Sequence, residues 1–325
     1  MTAPLVIAYC GNFRPDHSTE THLARTLEQM GHKVTRIQED TTNPAMLTRR
    51  LQREDMDLFF YTRTWGKTVD LTHLDLLSKR GVPSVSYHLD LYVGVWRGGP
   101  ADAKSDANIG TDPFWKVDYV FQPDRDPESA RVFAAKGVNQ RWLPPGVVAD
   151  ECYIADVSLQ RDVIFVGSGP DYHKEWPYRG QLLRWLESTY GGRYSQHGNR
   201  GRPVRGDDLN RLYASTRVAV GDSFVPGFNR YGYCSDRRYE APGRGAFQIG
   251  PRIDGLDDGF VDGVNCVLYD FGDWDGLKDR IDHYLKAADE REKIRRAGHE
   301  HVRQNHTYTH RLERMFEILY AEGAL

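Results

Sequence analysis

Two Rossmann-like α/β domains, with parallel sheets facing across a cleft, are what the sequence predicts, and three observations carry the prediction. Short β-rich runs alternate with helical periodicity through the first half of the chain. The stretch 143–158 (LPPGVVADECYIADVS), rich in proline and small residues, then interrupts both periodicities. From residue 163 the alternation restarts, and 325 residues are enough for two such domains.

The elements run in order along the chain. Residues 5–9 read as a buried first strand, followed by the polar loop 11–17 and a helix whose Leu23, Leu27 and Met30 share one face, ending at Gly31. Residues 34–37 make a second strand. Asn43 and Pro44 form an N-cap and first-turn pair for a helix carrying Met46, Leu47 and Leu51. Strands are expected at 58–61, 82–87, 119–122 and 141–143, with a helix over 127–135. In the second half, strands are expected at 163–166, 193–196, 218–220, 247–249 and 266–269. Helices are expected near 178–189, 208–215 and 237–241, and the chain closes with three more over 274–287, 289–304 and 309–320. Leu312, Met315, Phe316 and Leu319 give the last one an apolar stripe suited to packing.

Composition narrows the function classes. No stretch reaches the roughly 18 to 20 apolar residues of a membrane span. The apolar start of the chain has neither a basic lead-in nor a small-residue cleavage site, so it reads as a strand and a cytoplasmic protein is expected. Cys10, Cys152, Cys234 and Cys266 show no CxxC or Cys/His ligand spacing, which argues against a disulfide framework and a structural zinc site. A net charge of -3 gives no general affinity for nucleic acid, and the basic strip 199–205 (NRGRPVR) reads as a solvated loop.

Ligands of paired α/β domains bind at the carboxyl ends of the strands. A nicotinamide cofactor is disfavoured: the first strand leads to Gly11-Asn12-Phe13-Arg14-Pro15, and Gly167-Ser168-Gly169 has Tyr172 where a third glycine belongs. GxxxxGK[ST] does not occur, which removes P-loop chemistry.

The informative stretch is 233–250, YCSDRRYEAPGRGAFQIG. Ser235 is an expected N-cap, and Arg237 and Arg238 add positive charge beside a helix start, a setting that favours a diphosphate. Glu240 lies about one turn further, where a carboxylate accepts from a vicinal pair of ribose hydroxyls; Pro242, Gly243 and Gly245 turn the chain into the next strand. On spacing alone the same residues also fit a surface helix with solvated charges.

Together with the residues C-terminal to it, this stretch resembles the C-terminal signature of spore-maturation-type (CgeB-like) glycosyltransferases, relatives of the group 1 glycosyltransferases with the GT-B fold. The resemblance is carried by Ser235, Arg237, Tyr239 and Glu240, by Gly245-Ala246-Phe247, by GLDDGFVDGVNCVLY over 255–269, and by Ala297-Gly298, His306-Thr307-Tyr308 and Arg311. VIFVG over 163–167, with Arg179, resembles the start of that family's C-terminal domain; the N-terminal half is similar only in its first glycine loop and the Gly31-His32-Lys33-Val34 turn.

The resemblance implies a nucleotide diphosphate sugar held by the C-terminal domain, an acceptor held by the N-terminal domain, no bound metal and no resident cofactor. Arg237 matches the arginine near the diphosphate, and Glu240 the glutamate on the ribose. Gly11, Gly167, His197, Arg238 and Tyr239 complete the expected donor residues. In retaining group 1 enzymes a second glutamate stands eight positions before the ribose glutamate, and here that place is Gly232, which leaves the stereochemical outcome open.

An inverting transfer needs a base for the acceptor hydroxyl. Asp90 leads the candidates, followed by His88 and then His17, all in loops after N-terminal strands. The expected division is an acceptor-binding domain over 1–150, a donor domain over 151–306, and a terminal helix over 307–325 that crosses back to the first domain. Acceptors compatible with the sequence are a glycan, a small molecule, a protein or a modified nucleobase; Phe224, Phe228, Tyr231 and Tyr233 are candidate stacking or packing residues near the donor loop. Rival functions are a nucleotide-sugar epimerase on the same fold and a non-catalytic nucleotide- or sugar-binding module.

Overall fold

Strands buried on both faces form parallel sheets under helices, and here Leu58–Tyr61 and Ser84–Tyr87 are buried at every position. The computed structural model describes residues 3–64, 66, 68–91, 109–169, 177–198, 203–223 and 231–325. Two compact units emerge, one of residues 1–144 with 308–325, the other of residues 145–307.

The first unit holds β1 (Val6–Gly11), α1 (Thr19–Gln29), β2 (Lys33–Gln38), α2 (Pro44–Arg53), β3 (Leu58–Tyr61), α3 (Leu71–Lys79), β4 (Ser84–Tyr87), β5 (Tyr119–Gln122), α4 (Pro127–Ala135) and β6 (Gln140–Trp142). Its six strands run parallel in the order β2-β1-β3-β4-β5-β6. Local chemistry sets the helix starts. Asn43 caps α2 by accepting from the Met46 amide, with Pro44 in the first turn. Asp70 and His73 close a reciprocal capping box on α3, a helix that the sequence pattern does not announce. The strand expected at 82–87 begins at Ser84, because the Val82 amide is engaged by the Leu77 carbonyl at the end of α3. Leu47 and Leu51 of α2 are buried as expected, whereas Met46 is exposed.

The second unit holds β7 (Arg161–Val166), α5 (Pro177–Tyr190), β8 (Tyr194–His197), α6 (Gly206–Ala214), β9 (Thr216–Val220), α7 (Arg237–Gly243), β10 (Gln248–Pro251), β11 (Val267–Tyr269), α8 (Trp274–Lys286) and α9 (Ala288–Asn305). Its five strands are parallel in the order β11-β10-β9-β7-β8. Side-chain alternation divides β7: Val163 and Phe165 join the core under α5 and α8, while Ile164 and Val166 join the core under α6.

The last helix, α10 (Tyr308–Ala321), belongs to the first unit and packs on α1. Its Leu312, Met315, Phe316 and Leu319 are all buried. Phe316 lies 4.9 Å from the His32 ring, and His32 accepts the Leu5 amide at 3.1 Å, so α10 supports the entry into β1. Among the described residues, no helix is long and apolar enough to cross a membrane.

Candidate functional site

An open parallel sheet offers a crevice where consecutive strands are added in opposite directions, because the loops at their carboxyl ends diverge. The strand orders place that switch between β1 and β3 in the first unit and between β7 and β9 in the second.

At the second unit's switch, the chain leaves β7 through Gly167, whose amide donates to the His197 carbonyl at 2.8 Å while its own carbonyl accepts from the Gln196 side chain at 3.2 Å. Gly198 sits at φ +82, and a Cβ there would stand 3.3 Å from the Gly167 nitrogen, so glycine lets the two loops close on each other. Arg237, the first residue of α7, sends its Nε to the Val166 carbonyl at 2.7 Å, and its Nη1 lies 3.3 Å from Asp236 Oδ1. Burial pulls this guanidinium down, but the charges of Asp236 and Glu240 outweigh it and hold the group above its ordinary value. It is a permanent cation at the carboxyl end of β7.

A second cation lies behind the first. Arg179 of α5 pairs bidentately with Asp222 at 2.6 and 2.8 Å, and the two side chains are 2% and 1% exposed. Burial lowers the Arg179 value and the nearby Arg237 charge lowers it further, while Asp222 opposes both. Asp222 thereby anchors the loop after β9. That loop is also held by the Tyr269 hydroxyl on the Gly221 carbonyl at 3.0 Å, with Tyr178 donating to Tyr269 at 3.2 Å. Ser223 Oγ accepts the Ser235 amide at 3.2 Å, tying the β9 loop to the segment that enters α7.

Glu240 stands one turn beyond Arg237. Its side chain is 18% exposed, and it faces Arg244 Nε at 3.4 Å. His197 bonds Ser195 Oγ at 2.9 Å and borders an open pocket of about 370 Å3 lined also by Gln160, Arg161, Val204, Asp208 and Arg211. Burial, then the charge of Arg161, lowers its pKa, which keeps the ring neutral at neutral pH.

Arg237 thus meets the carboxyl end of β7 beside Gly167, with Glu240 one turn along α7, while His197 reaches Gly167 through its carbonyl and turns its ring to the pocket bordered by Gln160 and Arg161. Two other residues of the same motif do not join them. Arg238 points the opposite way into a bidentate pair with Asp258 at 2.8 and 3.1 Å, its guanidinium 4.8 Å above the Phe260 ring. Tyr239 is fully buried, its ring 4.4 Å from that of His306. The reason is helical spacing, since consecutive residues point about 100° apart and only Arg237 and Glu240 share a face. Ser235 is not the N-cap either. Asp236 takes that position without a side-chain cap, and the Ser235 hydroxyl turns back to the Asp222 carbonyl.

In the first unit, Gly11 ends β1 at the switch, His88 follows β4, and Asp90 lies two residues beyond. His88 is buried with its ring 4.4 Å from Phe114, and its amide extends the β4–β5 pairing to the Phe121 carbonyl. Asp90 is half-buried, and His17 is exposed in the loop before α1. The structure brings in two acids that sequence reasoning passed over, Glu20 and Glu39. Glu20 Oε1 accepts from Thr64 Oγ1 at 2.9 Å, and Glu39 accepts the Thr64 and Gly66 amides, both at 2.8 Å, and the Tyr61 hydroxyl at 3.2 Å. A serine N-cap two residues before Glu20 was the available signal, because it places this glutamate in the first turn after a strand-end loop. Of the stacking candidates, Tyr233 is buried and Tyr231 is exposed over Gly255; Phe224 and Phe228, like residues 199–202 of the basic strip, lie outside the described residues.

Comparison with known proteins adds to this geometry. Residues 163–317 match the family model described as glycosyl transferase-like. Among curated proteins no sequence matches the chain. Solved structures similar to it include a glycosyltransferase from Rickettsia africae (10% identity, TM-score 0.59, 98% of each chain covered) and Anabaena HepE in complex with UDP and glucose (13%, 0.62, 98% of this chain and 100% of that one). An alpha-glucosyltransferase in complex with UDP and a 13-mer DNA containing an HMU base is similar at 10% identity and a TM-score of 0.68, with coverage of 98% and 100%.

Proposed function

We propose that this chain, which has the GT-B fold and a glycosyl transferase-like C-terminal match, moves a hexose from UDP to an acceptor hydroxyl without a metal. The observation that carries the reading is Arg237 held on the carboxyl end of β7 beside Gly167, with Glu240 one turn along α7. Arg237 neutralises the leaving diphosphate, and its second terminal nitrogen supplies further donors to phosphate oxygens. The half-buried Glu240 carboxylate accepts from the ribose hydroxyls, and the neutral His197 ring borders the nucleotide base. UDP is favoured because the similar structures of HepE and of the alpha-glucosyltransferase were solved with UDP. Arg179 acts through Asp222, keeping the loop after β9 in place beside Arg237.

The acceptor belongs to the first unit, with Gly11, His88, Asp90 and His17 in or beside the loops that follow its strands. Relative to the CgeB-like resemblance, the match to the general glycosyl transferase-like family supports only the broader assignment.

The test is thermal stabilisation by UDP, GDP, dTDP and NAD on wild type and on Glu240→Ala, since a ligand bound only to the folded state raises the midpoint by mass action. UDP alone should stabilise wild type, and the variant should lose the shift. Stabilisation by NAD alone, or by none of the four, defeats the reading. Interconversion of UDP-sugars with no acceptor present would favour an epimerase instead.

A further inference from the structure

The face of α7 that carries Arg237 and Glu240 carries a third charge, Arg244. Positions three and four apart on a helix are neighbours, so along that face Glu240 falls between two guanidinium groups in a row of alternating sign. Arg244 caps the helix, and its amide donates to the Glu240 carbonyl at 3.0 Å. Its side chain is only 2% exposed. One terminal nitrogen donates to Asn210 Oδ1 at 2.7 Å and to the Gly206 carbonyl at 3.3 Å, while the other pairs with the Glu151 carboxylate. Asn210 of α6 is itself fully buried and donates to the Glu151 and Tyr153 carbonyls at 2.9 and 2.8 Å. Every member of this clamp belongs to the second unit.

Glu151 and Asn210 fix the guanidinium through its terminal nitrogens, which leaves Nε. Among the described residues the buried Arg244 Nε makes no hydrogen bond, and Glu240 Oε1 stands 3.4 Å from it. The buried Tyr213 phenol of α6 feels the whole row: burial raises its pKa, the Glu240 charge raises it further, and Arg237 and Arg244 oppose both. Arg237 feels Glu240 as well, since that carboxylate helps to hold it charged.

A bound diphosphate changes this balance. If phosphate oxygens claim Arg237, the Glu240 carboxylate is left close to a polyanion in a partly buried site, where like charges disfavour each other. Resting on the donor reading above, we propose that Arg244 is a positioning residue for the donor, the counter-charge that holds the Glu240 carboxylate in place when a diphosphate claims Arg237. It acts through Glu240, and it lets a carboxylate for the ribose and a cation for the diphosphate share one turn of α7.

The experiment titrates UDP calorimetrically into wild type and into Glu151→Gln/Arg244→Met, each with and without Glu240→Gln, with thermal midpoints recorded to follow folding. Glu151→Gln removes the charge that Arg244→Met would strand. The double variant should bind UDP about 10-fold or more weakly, within the coupling range of residues in one network. The decisive result is a change of sign: Glu240→Gln should weaken UDP binding in wild type and strengthen it in the double variant, where it removes the uncompensated charge. Arg244→Lys gives a second background, because a single ammonium does not reproduce the guanidinium fork that meets Glu151 and Glu240 together; there the cost of Glu240→Gln should shrink. An equal cost of Glu240→Gln in all folded backgrounds overturns the proposal and leaves Arg244 a packing role. Wild type that does not bind UDP overturns the donor reading beneath it.

Discussion

Arg237 Nε meets the carbonyl of Val166 at 2.7 Å, which locks a guanidinium to the carboxyl end of β7 while Arg238, the next residue, is locked to Asp258 on the other side of α7. The two arginines therefore separate in their effects. Arg237→Ala should weaken UDP binding by about 1.5–3 kcal/mol, the range of hydrogen bonds to charged groups, or roughly 10- to 150-fold in Kd. Arg238→Ala leaves the Asp258 charge buried without its partner and should cost about 3–5 kcal/mol of stability. Calorimetric titration of UDP and urea unfolding of both variants check this; equal losses of UDP affinity would contradict it.

The Arg179–Asp222 pair tests whether the second unit's site depends on a loop held from behind. Asp222→Ala exposes a buried guanidinium to an apolar surround, so urea unfolding should show a loss of about 3–5 kcal/mol. UDP affinity should fall as well, because the Asp222 carboxylate ties the loop after β9 to Arg179, and Ser223 of that loop accepts the Ser235 amide at the entry to α7. An Arg179→Met/Asp222→Leu double variant should recover stability without recovering UDP affinity. Recovery of both would mean that the pair serves packing alone.

Much of this was legible in the sequence because its cause is local. Asn43-Pro44 fixes the start of α2, strand 58–61 is a continuous apolar run, and the apolar stripe of α10 gives its buried face. That Arg237 and Glu240 share one face of α7 was legible through their spacing. What escaped depended on contacts distant in sequence or on direction within one helical turn. Helix α3 has a histidine at N3 of its capping box, a partner that the serine-to-glutamate signature does not suggest. Arg238 and Tyr239 read like their neighbours until Asp258 and His306, 20 and more residues away, claim them. Glu20 looked like an ordinary first-turn acid, and only the pairing of β1 with β3 brings Thr64 to it across 44 residues.

Cysteine chemistry supplies a prediction with the pH sign worked out. Burial pushes the thiols of Cys152 and Cys266 up to about 12, and Cys10 is raised by burial too. Thiolate is the reactive form, so at pH 8 a thiol raised from 9.0 to about 12 reacts roughly three orders of magnitude more slowly. Native protein should resist iodoacetamide at pH 8, and labelling should accelerate as pH climbs towards 12. After unfolding in urea all four cysteines should label at the rate of a free thiol. Rapid native labelling at Cys152 would show that its site opens.

The terminal helix gives the last test, because it separates the stability of one unit from ligand binding by the other. Leu319 is fully buried on α10, in the unit that contains residues 1–144, whereas Arg237, Glu240 and Gly167 all lie within residues 145–307. Leu319→Ala leaves a cavity against an element that reaches β1 through Phe316, His32 and the Leu5 amide, so it should cost about 2–5 kcal/mol. That loss should appear as reduced protection from hydrogen exchange in β1 and β2, which pair over Val6 to Gly11. UDP affinity, measured well below the melting midpoint, should stay within about twofold, since the residues assigned to the donor all belong to the second unit. If Leu319→Ala abolished UDP binding while β1 and β2 kept their protection, the donor site could not be a property of the second unit alone.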